Sequence, residues 1–211
     1  MIPFKICGIT NINDALAAIE NKASAIGFIF VKNSPREISF ETAKEISKEI
    51  GNKVSKIGVF VNQEKKIIEK AIKSIPLNMI QLHGDENPLF CSSFNIPVIK
   101  AIQVKNDESI NEAKKYNVDA ILFDTYNKDL RGGTGSSFDW NILSNQKHDK
   151  PIILSGGLNK KNVLDAINNV NPTAIDVNSG VEVSPGIKSH LKIKKLYNTI
   201  NQTKNTGFQF E

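Results

Sequence analysis

Short apolar, β-branched runs recur along the chain, and almost every one is followed by a segment whose apolar residues return every three or four positions. The runs predict eight strands, at residues 4–7, 25–31, 56–61, 79–82, 98–102, 120–124, 152–155 and 174–178. Between the first two, Ile12, Ala15, Leu16 and Ile19 share a helical face behind Asn11, a residue suited to cap a helix start. Ala43, Ile46 and Ile50 line a second helix that stops at Gly51. Asn159 is expected to cap a helix carrying Val163, Leu164, Ile167 and Val170, and the last helix presents Ile193, Leu196 and Ile200. After His83 and after Asp124 the helical pattern is weaker and the loops are longer.

Strands that alternate with helices pair in parallel through right-handed crossovers. An open doubly wound sheet and a closed (β/α)8 barrel both meet that condition. The count of eight favours the barrel, the TIM-barrel fold, and 211 residues lies near the lower end of its range. No Gly-x-Gly-x-x-Gly follows the first strand, which weakens a dinucleotide-binding alternative. No linker interrupts the repeat, so residues 1–202 read as one domain. The polar tail, residues 203–211, reads as dispensable.

Composition narrows the class without naming a chemistry. The chain is 40% hydrophobic and 23% charged, as an ordinary globular protein is. Its net charge of +5 raises the question of nucleic acid, but the lysines are scattered and do not interleave with aromatics. No nucleic-acid partner is expected, and the mild positive field suits an anionic small molecule. No apolar run is long enough to cross a bilayer, and the first residues lack the pattern of a secretory signal. Cys7 and Cys91 stand far apart, with no spacing that suggests a disulfide framework or a metal or redox pair. A cytoplasmic protein, outside any membrane, is the expectation.

In a barrel of this kind the chemistry stands at the carboxyl ends of the strands. Those ends carry Cys7-Gly8, then Ser34-Pro35-Arg36, then His83-Gly84-Asp85-Glu86. Asp124 closes strand six ahead of a loop with Gly132-Gly133-Thr134-Gly135. Ser155-Gly156-Gly157 ends strand seven, and Asp176-Val177-Asn178-Ser179-Gly180 ends strand eight. A single Gly-Gly merely turns a chain. Two glycine loops on consecutive strands, Gly156 and Gly157 with Ser179 and Gly180, point to a phosphate held by backbone N–H groups. Arg36 is either a solvated cation or a bidentate clamp for a carboxylate. His83 is open as base, ligand or structural partner, since one histidine makes no metal site. His148 and His190 stand away from strand ends, and Phe138-Asp139-Trp140 reads as a capped helix start with a packing tryptophan.

The chain resembles the phosphoribosylanthranilate isomerases of tryptophan biosynthesis. The likeness runs in order through "KICGIT", "AIGFIF", "SPR", "IGVFVN", "IQLHGDE", "GGTG", "FDW", "LSGGL" and "DVNSGVE" to "PG", nearly the whole chain. The family pattern has serine where this sequence has Asn178. The resemblance implies an Amadori rearrangement of N-(5-phosphoribosyl)anthranilate with no metal and no organic cofactor. It makes Cys7 the general base and Asp124 the general acid. Arg36 is then expected on the anthranilate carboxylate, Asp176 on the sugar hydroxyls, and His83 in organising the site.

Those roles set physical requirements. Asp124 must hold a proton at neutral pH to act as the acid. Cys7 must become thiolate, and Lys5, of the same strand parity, is expected to lower the thiol's pKa. A free cysteine is otherwise a small buried hydrophobe, the reading kept for Cys91. Another phosphosugar isomerase or lyase on the same scaffold would be expected to lean on lysine. A non-catalytic phosphate-binding barrel would need the glycine loops but no acid–base pair. The sequence leaves monomer and homodimer both open.

Overall fold

The computed structural model describes residues 1–125, 140–144 and 149–211. Its strands are β1 (Phe4–Cys7), β2 (Ala25–Ile29), β3 (Ser55–Phe60), β4 (Met79–Leu82), β5 (Val98–Val104), β6 (Ala120–Thr125), β7 (Ile152–Leu154) and β8 (Ala174–Val177). They pair in parallel, each with the next, and β8 returns to β1 through Phe4↔Ile175 and Lys5↔Asp176 to close a barrel. The (β/α)8 expectation is borne out. Around the strands lie α1 (Ile12–Glu20), α2 (Phe40–Ile50), α3 (Lys65–Ser74), α4 (Pro88–Cys91), α5 (Asp107–Ala113), α6 (Asn141–Ser144), α7 (Val163–Val170) and α8 (His190–Ile200). A short hairpin, β9 (Glu182–Ser184) with β10 (Ile187–Lys188), follows β8 on the same side as the strand ends. Among the described residues no helix is long and apolar enough to span a membrane.

Local chemistry accounts for the helix ends. The Asn11 side chain accepts the Asp14 N–H at 2.9 Å and starts α1. Gly51, at φ 59°, ends α2 in a conformation that glycine adopts without steric cost. Asn159 does not cap α7 directly. Its side chain accepts the Lys161 N–H at 2.9 Å in the preceding turn, and Asn162 is the residue at the helix boundary. Weak pattern after β4 and β6 corresponds to single-turn helices, α4 and α6.

Period two along the strands sorts the side chains into two cores. Outward positions pack against the helices in the larger core. Inward positions fill the barrel, whose base is apolar: Ala25, Ile57, Met79, Ile99, Ala120 and Ala174. Above them, one pleat nearer the strand ends, stand Lys5, Gln81 and Asp176. The tail after α8 departs from expectation. Phe210 is buried in the apolar base of the barrel, with Phe208 edge-on to it at 5.0 Å between ring centroids. Thr203 Oγ1 accepts the Ile2 N–H at 2.8 Å, and Thr206 Oγ1 donates to the Thr173 carbonyl at 2.7 Å. Small residues such as Ala25, Ala120 and Ala174 leave room at that end, and a phenyl ring fills it. The tail is a plug.

Candidate active site

Each strand end delivers its side chain through a local device. β1 ends at Cys7, and the chain turns away at Gly8, whose N–H, like that of Ile9, donates to the Gly27 carbonyl at 3.0 Å. Gly8 has φ 73°, and a Cβ there would lie 2.9 Å from Asn178 Oδ1 and 3.0 Å from Arg36 Cδ. Only a glycine lets Arg36 and Asn178 close in beside Cys7. Ser34 Oγ accepts the Arg36 N–H at 3.2 Å, shaping the turn that carries the guanidinium. Glu182, on the β9 hairpin, takes Arg36 Nη2 at 2.7 Å and Nε at 2.9 Å, which leaves Nη1 outside that pair. His83 stands just beyond β4. The loop behind it is fixed by buried Glu86, which accepts from the Gly84 and Asn62 backbones and pairs with Lys100 at 2.9 Å.

The glycine loops of β7 and β8 lock together. Gly156 and Gly157 have φ 93° and 63°, and the space in front of Gly157 is open. A Cβ at Gly180 would collide with the Leu158 carbonyl, so this glycine sets the approach of one loop to the other. Gly180 is not in the cavity wall. Cys7, Arg36, His83, Asp124, Gly156, Gly157, Asp176 and Ser179 do line one cavity of about 230 Å³, together with Gln81, Ser155 and Asn178. The glycines at 132, 133 and 135, with Thr134, Phe138, Asp139 and His148, lie outside the described residues. Trp140 packs in the outer core, as expected.

The family model for N-(5'-phosphoribosyl)anthranilate isomerase matches residues 4–199. The chain belongs to the N-(5'-phosphoribosyl)anthranilate isomerase family. Its relative from Pseudomonas fluorescens is 43% identical over 198 residues, covering 93% of this chain and 97% of that one. The crystal structure of the Thermotoga maritima phosphoribosylanthranilate isomerase superposes with a TM-score of 0.88 at 41% identity, over 95% of this chain and 99% of that one. A second isomerase structure, in complex with reduced 1-(o-carboxyphenylamino)-1-deoxyribulose 5-phosphate, gives 0.83 at 39% identity with the same coverage.

Electrostatics in this isomerase-family cavity revises one expectation. Burial pushes the Cys7 thiol above its ordinary range; Lys5 and Lys188 pull it down, but not enough to offset the burial. The expected net lowering of the thiol is therefore not found: Lys5 pulls in the expected direction, but removing a thiolate from water costs more than the two ammonium groups return. Burial disfavours the Lys5 charge as well, yet Asp176 and Cys7 together hold it above its ordinary value. Lys5 Nζ donates to Asp176 Oδ2 at 2.8 Å and to Gln81 Oε1 at 3.0 Å. The other oxygen, Asp176 Oδ1, is buried without a donor among the described residues. Lys188 is lowered by burial against the pull of Glu182, which it meets at 2.7 Å, and it also donates to Asn178 Oδ1 at 2.8 Å.

Four participants escaped the sequence reading: Gln81, Glu182, Lys188 and the amide role of Asn178. Gln81 had a usable signal, since it shares strand parity with His83 and a polar side chain at an inward position needs a reason. Glu182 and Lys188 come from the hairpin, whose return to the strand ends no local pattern announces. Among the described residues, no three His, Cys, Asp or Glu side chains converge as metal ligands.

Proposed function

We propose that this cavity isomerises N-(5-phosphoribosyl)anthranilate by acid–base catalysis, with Asp124 as the acid and Cys7 as the base. The observation that carries this is the meeting of Cys7 and Asp124, from β1 and β6, in one cavity bounded by the two interlocked glycine loops. The chain is an isomerase of the tryptophan pathway, as its family is. Asp124 donates a proton to the furanose oxygen. The C1–O bond breaks as the anthranilate nitrogen supplies its lone pair, giving an iminium at C1. Cys7 thiolate then removes the C2 proton, and those electrons form C1=C2 and return the nitrogen lone pair. Protonation at C1 and loss of the C2 hydroxyl proton complete the ketone.

The remaining side chains hold the two ends of the molecule. The phosphate lies against the N–H groups of Gly156 and Gly157 and the Ser179 hydroxyl, in the open space before Gly157. Arg36, steadied by Glu182, offers Nη1 to the anthranilate carboxylate. Asp176 Oδ1 accepts a sugar hydroxyl. The test is turnover of the phosphoribosyl substrate by the purified protein. Cys7→Ala and Asp124→Asn should each lower kcat by roughly 10²–10⁴-fold, the usual worth of a positioned acid or base, with folding intact. Full turnover by either folded variant removes that residue from the mechanism.

A further inference from the structure

A line of hydrogen bonds runs from buried Lys5 into the wall of the cavity. Lys5 Nζ lies 3.0 Å from Gln81 Oε1, Gln81 Nε2 lies 2.7 Å from His83 Nδ1, and His83 Nε2 lies 3.2 Å from Asp124 Oδ2. The protons on this line are dictated from one end. An ammonium only donates, so the Gln81 oxygen must face Lys5; the reversed amide would set donor against donor. The Gln81 NH₂ must then face His83, and Nδ1 must accept from it. A ring nitrogen that accepts carries no proton, so His83 is neutral with its hydrogen on Nε2, aimed at Asp124. Lys5 cannot turn away, because it is fully buried and held by Asp176 at 2.8 Å.

We infer that Gln81 is a positioning residue which, oriented by Lys5, fixes the His83 tautomer so that the acidic proton of Asp124 is offered to the substrate rather than to the imidazole. With Nε2–H donating, His83 occupies Oδ2 as an acceptor, and the proton of the carboxylic acid sits on Oδ1. In the other tautomer Nε2 would present a lone pair. The carboxylic acid would donate to it, and its proton would be withdrawn from the furanose oxygen. In an imidazolium the added charge would hold Asp124 as carboxylate, with no proton to give. The neutral Nε2–H form is the one that lets Asp124 act as an acid. This inference deepens the isomerase reading and rests on it for its functional meaning.

The test begins with the unaltered protein and needs no turnover. Long-range ¹⁵N–¹H correlation at neutral pH should show His83, assigned by the signal lost in His83→Asn, with a bare Nδ1 and a protonated Nε2. A proton on Nδ1 overturns the inference, whatever the enzyme's activity. Gln81→Glu keeps an acceptor for Lys5 but places a second acceptor against Nδ1, so that nitrogen should gain a proton. Its kcat should fall by roughly tenfold or more, short of the roughly 10²–10⁴-fold cost of removing the acid, while KM stays within about twofold. Gln81→Met, which removes both bonds at similar volume, should release the tautomer and lower kcat in the same way. If folded Gln81→Glu keeps the original His83 protonation and full kcat, the positioning role is lost.

Discussion

A thiol at the end of β1 meets two opposed influences, and their balance makes a measurable prediction. Burial raises the Cys7 pKa and Lys5 lowers it, with burial the larger. Thiolate therefore appears only as pH climbs through a value above the ordinary one. Alkylation of Cys7 should accelerate about tenfold per pH unit from neutrality, with no plateau before the free-thiol range near about 8.5. A plateau at neutral pH would mean that the ammonium wins. Cys91 should react more slowly throughout, since it is fully buried and does not line the cavity through which a reagent reaches Cys7; its thiol too is pushed up, to about 11, chiefly by burial. Arg36 belongs to the same scale. A charge-assisted hydrogen bond is worth roughly 1.5–3 kcal/mol, so Arg36→Ala should raise KM by about ten- to a hundredfold. Steady-state kinetics that leave KM and kcat both unchanged would free the guanidinium of any part in binding.

At the scale of elements, the two glycine loops behave as one unit because Gly180 lets β8's loop rest on the Leu158 carbonyl. Adding a methyl group there must push the loops apart. Gly180→Ala should cost about 1–3 kcal/mol, as overpacking does, read from a urea midpoint. It should also weaken competitive inhibition by inorganic phosphate, although Gly180 itself is not in the cavity wall. Unchanged inhibition would mean that the loops bind independently. The strands and their order were legible from period two and from turn chemistry, and so was the capping of α1 and α2. The start of α7 was displaced from its expected residue, because Asn159 and Asn162 are equally suited to a cap and only the turn between them chooses.

For the molecule as a whole, the tail changes the stability argument. Phe210 fills the base of the barrel, where alanines on three strands leave a phenyl-sized space. Phe210→Ala should destabilise the protein by about 3 kcal/mol, in line with emptying an apolar core site. Deletion of residues 203–211 should do at least as much, while leaving KM unaltered at temperatures where the protein stays folded. Chemical denaturation of both variants decides the point, and an unchanged midpoint would return the tail to a surface appendage.

Alone, the sequence determined the alternation that builds the barrel and the identity of the strand-end groups, because both follow from local periods of two and of 3.6 residues. It also placed Cys7, Arg36, His83, Asp124 and Asp176 on one face, since parallel strands bring all their carboxyl ends together. Tertiary structure alone decided which partners those groups meet. Glu182 and Lys188 reach Arg36 and Asn178 through a hairpin far along the chain, and the pull of Lys5 on Cys7 is overridden by a burial that no local window records. Gln81 shows the division most clearly. Its parity put it inside the barrel, but its meaning depends on an ammonium 76 positions away whose donors can point only one way.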